Sequence, residues 1–508
     1  MKTPREGQVH LAFSRGVLLR SALLTRFTRR QSVSKGSHLR RIVFPLLLAF
    51  LPCVASGRLS AQQLSNAQLD AQYQSAVADY NAGRFEQAAG LLENVLPYAS
   101  RSYVVHELLG MVYASLSQDE KALDQLKLAV QLKPDAADAR TNLGAFLLRT
   151  GKHALAGEQF LKAQQLAPQD YEANHDLGEF YVQSGRIQDA QPFLENAWHI
   201  NPDAYGNSYD LTMADFQLGK LAGAREVAAH TLQKNNTGEL HNLLAQIDEK
   251  DGKFVDAANE YETAAHMDPS DDNLFDWGSE MLLHRTYEPA ITIFQQATLR
   301  YPKSPRLFIG LGLALYSRGK YDEAVKALLT AADLAPADAR CYYFLSKAYD
   351  SSPTQADEVT ARFQRYAQLK PDDSLAQYYY ALSLWKAKRS QSGTVDIPAI
   401  EALLQKSIAL NPSFPQAHVQ LGDLYADQHQ YEKSVPEYER ALALDPNISD
   451  AHYRLGTDYV HVGQREKAQQ EFATYQKLRA DHLAEIDKER AEVKQFVYTA
   501  RNPEPTKP

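Results

Sequence analysis

The sequence predicts an all-α protein, an α-solenoid of stacked helix pairs, and three observations carry that reading. First, landmark residues recur every 34 positions. Block 103–136 carries Leu109-Gly110, Tyr113, Ala122, Leu126, Ala129 and Pro134. The next block repeats them as Leu143-Gly144, Gly151, Ala156, Phe160, Ala163 and Pro168, and the one after as Leu177-Gly178, Tyr181, Gly185, Ala190, Leu194, Ala197 and Pro202. Second, small residues hold two fixed places in each block. Third, a proline closes nearly every block. A period of this length marks a repeat architecture, in which one supersecondary unit stacks on the next.

Each element of the block follows from residue chemistry. Glycine inside a helix costs roughly 1 kcal/mol against alanine. Its recurrence at Gly110, Gly144, Gly178, Gly312, Gly422 and Gly456 therefore implies a close helix crossing. Ala122, Ala156, Ala190, Ala324 and Ala468 form the second small position. Tyr113, Tyr181, Tyr425 and Tyr459 from the first helix fill the remaining space, with Phe160, Tyr261, Phe294, Tyr438 and Phe472 from the second. A further glycine (Gly151, Gly185, Gly219, Gly252, Gly319, Gly463) marks the turn between the helices, where positive φ is expected. Pro134, Pro168, Pro202, Pro269, Pro302, Pro336, Pro371, Pro412 and Pro446 end the second helix, since proline lacks an N–H and restricts the residue before it. Asp135, Asp203, Ser270, Ser413 and Asn447 come directly after a proline and are read as N-caps of the next helix.

These landmarks give about twelve units between residues 69 and 482. The first, 69–102, has Ala88 in place but Ser100 where proline is expected. The fifth and sixth are each one residue short. The ninth, 339–373, has Ser346 for glycine and Pro353 in its turn. The tenth, 374–414, carries its extra residues in 389–398, read as an enlarged polar loop. Beyond the array, 481–500 reads as one more helix with an apolar stripe of Leu483, Ile486, Val493, Phe496 and Val497. An open array needs an end cap, and 483–500 is assigned that place, with 501–508 as a disordered tail.

This residue order resembles the tetratricopeptide repeat. The resemblance implies a superhelix over 69–482 whose first helices line a concave groove, chiefly through their second, fifth, ninth and twelfth positions. On this chain those positions include Tyr209, Phe216, Phe275, Tyr316, Tyr343, Tyr378 and Trp385, with Arg306, Arg340 and Lys347 among them. Earlier units place Asp138, Glu172 and Glu179 there, and the sixth adds Glu239 and Glu249. The resemblance implies a protein or peptide partner held through these aromatics; packing of the same rings against neighbouring units is the competing reading. The Lys/Asn pattern of members that bind chaperone tails is missing, with Tyr73 and Val77 standing where it would begin. An acidic C-terminal tail is therefore not the expected ligand.

The ends bound location and charge. Residues 1–41 hold eight Arg and two Lys against Glu6, then comes the apolar run 42–55, then small residues before Ala61. That order reads as a targeting segment over 1–61 and predicts export to the periplasm or medium. Two alternatives stay open: an anchor through 42–55, and a mitochondrial transit peptide. The apolar run is shorter than the roughly 18 residues of a spanning helix, and Pro45 and Pro52 interrupt it. Beyond residue 41 the chain carries 44 basic and 61 acidic residues. An acidic surface repels nucleic acid, so neutral or basic partners are expected. Of Cys53 and Cys341, the first lies in the targeting segment, which leaves no intrachain disulfide.

Catalytic and cofactor motifs find little support. Gly144 with Gly151-Lys152, and Gly312 with Gly319-Lys320, imitate a phosphate loop, but six residues separate each pair where four are required. Both are the packing and turn glycines of one repeat. His106, His241, His418 and His452 share one repeat position, which points to packing before metal binding. No HExxH or CxxC spacing occurs. The sequence thus predicts a non-catalytic exported scaffold without cofactor or metal. The alternatives are a protein binding carbohydrate or envelope polymer, and an accessory subunit of an envelope enzyme.

Overall fold

The computed structural model describes residues 65–352, 355–390, 396–480, 491, 494–497 and 499–501. The targeting segment 1–61 and the centre of the 389–398 loop lie outside these. The described residues form helix pairs joined by short turns, with no strand among them. They divide into two compact units, one ending at Asn236 and one beginning at Thr237.

The first unit holds α1 (Asn66–Asn81), α2 (Phe85–Val95), α3 (Tyr103–Ser115), α4 (Asp119–Leu132), α5 (Ala137–Arg149) and α6 (His153–Leu166). It continues with α7 (Tyr171–Gln183), α8 (Ile187–Ile200), α9 (Tyr205–Gln217) and α10 (Leu221–Leu232). The second unit begins with α11 (Gly238–Lys250), α12 (Phe254–Met267), α13 (Asp271–Leu283), α14 (Tyr287–Arg300), α15 (Pro305–Ser317) and α16 (Tyr321–Leu334). It proceeds through α17 (Ala339–Ser351), α18 (Ala356–Leu369), α19 (Ser374–Ser390) and α20 (Ile397–Leu410). Its last pairs are α21 (Pro415–Ala426) with α22 (Tyr431–Leu444), and α23 (Ser449–His461) with α24 (Arg465–Ala480). Each odd-numbered helix packs on its successor, which makes twelve pairs among the described residues.

The recurring glycine is a contact point. A Cβ built on Gly110 would stand 2.6 Å from Leu126, and one on Gly144 2.9 Å from the Phe160 ring. Gly178 meets Leu194, Gly312 meets Leu328, Gly422 meets Tyr438 and Gly456 meets Phe472 in the same way. The large residue always lies sixteen positions on, in the second helix. All of these side chains but the half-buried Phe472 are buried against the partner helix; complete burial of a leucine or phenylalanine contributes about 1.5–3 kcal/mol. At the turn, Gly151 takes φ +77°. Where a block has no glycine, another residue bears the same conformation: Ser117, Arg285 and His429 sit at φ 57–58°. Arg285 there carries strain that a glycine would relieve.

In seven of the pairs a polar residue near the start of the first helix bonds back to the turn before it. His106, Arg140, Asn174, Ser208, Tyr342, Gln377 and His452 each donate to the carbonyl six residues back, over 2.9–3.2 Å. That carbonyl belongs to the block-ending proline, except in the first block, where Ser100 supplies it. The other ring nitrogen of the histidines reaches the second helix. His106 Nδ1 lies 2.6 Å from Gln125 Oε1, and His418 Nδ1 lies 2.7 Å from Glu437 Oε2. His241 and His452 pair likewise with Glu260 and Glu471. The shared histidine position is thus an inter-helix link.

Most of the expected N-caps are displaced. Ser270 does cap α13, accepting from Asn273 N. The caps of α5, α9, α21 and α23 are Ala136, Ala204, Phe414 and Ile448, each one residue beyond Asp135, Asp203, Ser413 and Asn447. In these four blocks the turn after the proline consumes the polar residue. Asp203 pairs instead with Lys234 and His230.

Candidate partner-binding face

The expected groove residues fall into two groups. Tyr209 and Phe216 in the first unit are half-buried on α9, with the Tyr209 ring stacked on Tyr205 at 6.2 Å. In the second unit Tyr316, Tyr343 and Tyr378 are half-buried on α15, α17 and α19, three successive first helices. Tyr316 lies 5.5 Å from Tyr321, Tyr343 lies 5.0 Å from Phe344, and Tyr378 lies 5.0 Å from Phe414. Each keeps part of its surface in water.

Phe275 and Trp385 differ. Phe275 is fully buried, and Trp385 is 3% exposed in a cluster with Ala381, Ile400, Leu404, Leu421 and Tyr425. The expectation that these two rings present open faces is corrected. A large aromatic on a first helix fills core whenever the neighbouring unit closes over it.

The cations among the aromatics are already matched. Arg306 binds Asp271 and Asp272, and its guanidinium lies 5.1 Å from the Phe275 ring centre. Arg340 donates to Asp338 at 2.7 Å. Lys347 lies 5.2 Å from the Tyr343 ring centre.

The acidic residues of the sixth pair take part in something the sequence did not show. The C-terminal helical segment lies on the first helices of the second unit. Phe496, Val497 and Ala500 are buried in one apolar cluster with Phe275, Ile309, Leu313 and Phe344. Phe496 meets the rings of Phe275 and Phe344 edge-on, at 5.9 Å and 5.5 Å. Five residues on, Arg501 donates from Nε to Asp276 Oδ1 at 2.7 Å and from Nη1 to Glu249 Oε2 at 2.9 Å. Its guanidinium also faces Tyr261, whose hydroxyl donates to Glu249 Oε2 at 3.0 Å. Glu280 is fully buried beside them, and His284 Nε2 approaches it to 3.1 Å. Burial, reinforced by Glu249, raises the Glu280 carboxyl to about 8. The sequence reading put Arg501 in a disordered tail; it is helical and ion-paired. Residues 481–490 of the expected capping helix lie outside the described residues. The contacts of Phe496, Val497, Ala500 and Arg501 are with α11, α12, α13, α15 and α17.

Other chemistry is modest. His175, Asp176 and Glu179 on α7 bring one ligand atom each within 4.8 Å of one another, an arrangement able to hold a cation. Glu179 accepts from Gln183 at 3.0 Å, and His175 Nδ1 lies 3.3 Å from Asn207 Oδ1. Burial pushes the Cys341 thiol up, the opposite of what a nucleophilic thiolate requires. No helix of the described residues is long and apolar enough to cross a membrane.

Comparison with known proteins agrees with this geometry. Profiles described as tetratricopeptide repeat match residues 73–136, 122–171, 181–247 and 284–339, and one described as TPR repeat matches 422–460. Together they span about half of the chain. The Hsp70-Hsp90 organizing protein of Triticum aestivum is 34% identical over 85 residues, which is 17% of this chain and 15% of that protein. The chain thus matches only a small part of that relative's length. Among solved structures, Pseudomonas aeruginosa pilF is 19% identical with a TM-score of 0.36, covering 40% of this chain and 92% of its own. Yeast Tom70 is 14% identical with a TM-score of 0.34, covering 85% of this chain and 96% of its own. The recurrent packing glycines, the paired helices and these profile matches have one explanation: the chain belongs to the tetratricopeptide-repeat family.

Proposed function

We propose that the chain is a non-catalytic scaffold that docks a protein or peptide partner on the face formed by its first helices. The observation that carries this is the row of half-buried rings Tyr316, Tyr343 and Tyr378 on three successive first helices. Rings of this kind supply large contact area at low entropic cost, and interface hot spots are rich in them. The acidic balance beyond residue 41 favours neutral or basic partners over nucleic acid. The basic, apolar, small-residue order of 1–61 supports export, with the partner in the envelope or outside it. N-terminal sequencing of protein from its native host checks that part; a chain retaining residues 42–55 in a washed membrane pellet contradicts it.

The docking reading is tested by capture. Immobilised wild-type chain and the variants Tyr316→Ala and Tyr343→Ala are exposed to native envelope extract, and bound proteins are read by mass spectrometry. A partner retained by wild type and lost about tenfold in the variants, at unchanged melting temperature, supports the reading. Equal retention by all three chains overturns it.

A further inference from the structure

The groove of the sixth to ninth pairs already holds a ligand, and it is the chain's own C-terminal segment. Lys494, Gln495 and Thr499 are exposed while Phe496, Val497 and Ala500 are buried. That is the pattern of an amphipathic helix laid into a groove, with anchors read along one face. The two ends of the seat differ in chemistry. Phe496 enters an apolar site walled by Phe275 and Phe344. Arg501 enters an acidic site, where Glu249 and Asp276 are only 13% and 11% exposed.

The acidic site is built for a cation. Asp276 is oriented by Asn242, which donates to its second oxygen at 2.9 Å, and Glu249 is oriented by the Tyr261 hydroxyl at 3.0 Å. Glu280 adds a third, wholly buried carboxyl, with His284 Nε2 3.1 Å from one of its oxygens. Two largely buried carboxylates and a wholly buried carboxyl converge on one guanidinium. Removal of Arg501 would take the counter-charge from Glu249 and Asp276, a costly change away from water. A neutral or acidic segment cannot take the place; a basic one can. The bidentate geometry favours arginine over lysine.

We propose that this groove is a receptor for a helical segment presenting an apolar aromatic residue and, five positions later, an arginine, and that Phe496, Val497, Ala500 and Arg501 occupy it until a partner segment of the same chemistry displaces them. The inference rests on the docking reading above and names its partner class and its regulation. Tethering gives the tail a high local concentration, so an outside segment must bind more tightly or be abundant. The groove then opens only to partners that carry both anchors.

The test uses the full chain and a fluorescent peptide of residues 491–503. Anisotropy is measured for wild type and for the double variant Phe496→Ala/Arg501→Gln. The variant is expected to bind the peptide at least tenfold more tightly than wild type. Adding Glu249→Gln and Asp276→Asn to that variant should abolish binding, as should Arg501→Glu within the peptide. Equal binding by wild type and variant, or no binding by a variant that keeps its helical circular dichroism, overturns the proposal. If the variant fails to fold, hydrogen exchange on wild type decides. Excess peptide should accelerate exchange at residues 494–501, and an unchanged rate refutes displacement. A wild-type dimer that the variant converts to monomer would place the tail in a second copy and overturn the intramolecular seat. Failure of these peptide results while Tyr316→Ala and Tyr343→Ala still lose a captured partner defeats this inference alone.

Discussion

Adding a side chain at two helical glycines should change stability in opposite directions where one site is open and the other packed. Gly90 is exposed on α2, and a Cβ there would meet nothing within 4 Å. Gly90→Ala therefore gains the helix preference alone, about 1 kcal/mol. Gly422 lies on α21, where a Cβ would stand 2.7 Å from Tyr438 Cε1, 2.9 Å from Cδ1 and 3.0 Å from Cζ. Tyr438 has little room to retreat. It is 1% exposed, and its hydroxyl donates to Asp423 Oδ1 at 2.6 Å. Overpacking of this kind costs about 1–3 kcal/mol. Set against the helix gain, Gly422→Ala is neutral to destabilising by about 2 kcal/mol. Gly422→Leu adds three more carbons against the same ring and should cost at least about 3 kcal/mol. The assay is urea unfolding of the full chain followed by far-UV circular dichroism. Because repeat arrays need not unfold in one step, the sign of the midpoint change is the readout. The reasoning predicts a raised midpoint for Gly90→Ala and a lowered one for Gly422→Leu. Substitutions at positions 391–395 should leave it unmoved. A raised midpoint for both glycine variants would refute the packing assignment.

Three further outcomes follow from particular contacts. Glu280 is raised in the fold from its ordinary 4.5 to about 8, chiefly by burial and then by Glu249, so the unfolded chain loses this proton first as pH rises. Stability of the second unit should therefore fall between pH 4.5 and about 8, by at most roughly 5 kcal/mol from this group. Glu280→Gln should flatten that fall in urea titrations; an unchanged slope contradicts it. Trp385→Ala should cost about 3–5 kcal/mol by emptying a core site, lowering the melting temperature in calorimetry, whereas an unchanged melting temperature would make Trp385 an open groove residue after all. His418→Ala removes a 2.7 Å link to Glu437, which is 8% exposed, and should cost about 1–3 kcal/mol in the same assay; no loss would mean that the link is incidental to stability.

The architecture was legible because its causes are local and repeated. The offset between Gly110 and Leu126 is the same as that between Gly456 and Phe472, so one block explains the others. The polar residue that bonds the proline carbonyl was half legible. As histidine it stood out at His106 and His452, but Arg140, Asn174, Ser208 and Tyr342 do the same work with different side chains. Any donor of suitable reach suffices, so residue identity does not mark the position. The groove was legible as a set of helix positions, and less so as a surface. Position alone says which way a residue points and nothing of what covers it, which is why Phe275 and Trp385 read as anchors. Arg501 was out of reach for a different reason. It meets Glu249 across 252 residues and Asp276 across 225, and no repeat offset links them.

The central claim, that a partner docks on the first-helix face, is tested most directly by photo-crosslinking from chosen positions. A photoreactive side chain is placed at Tyr343, on α17, and in a second chain at Lys326, exposed on the second helix α16. Both chains are irradiated in native envelope extract. The account predicts that a defined protein is joined to the chain labelled at 343 and is absent from the chain labelled at 326. Crosslinks from 326 with none from 343 would place the partner on the opposite helices and contradict it.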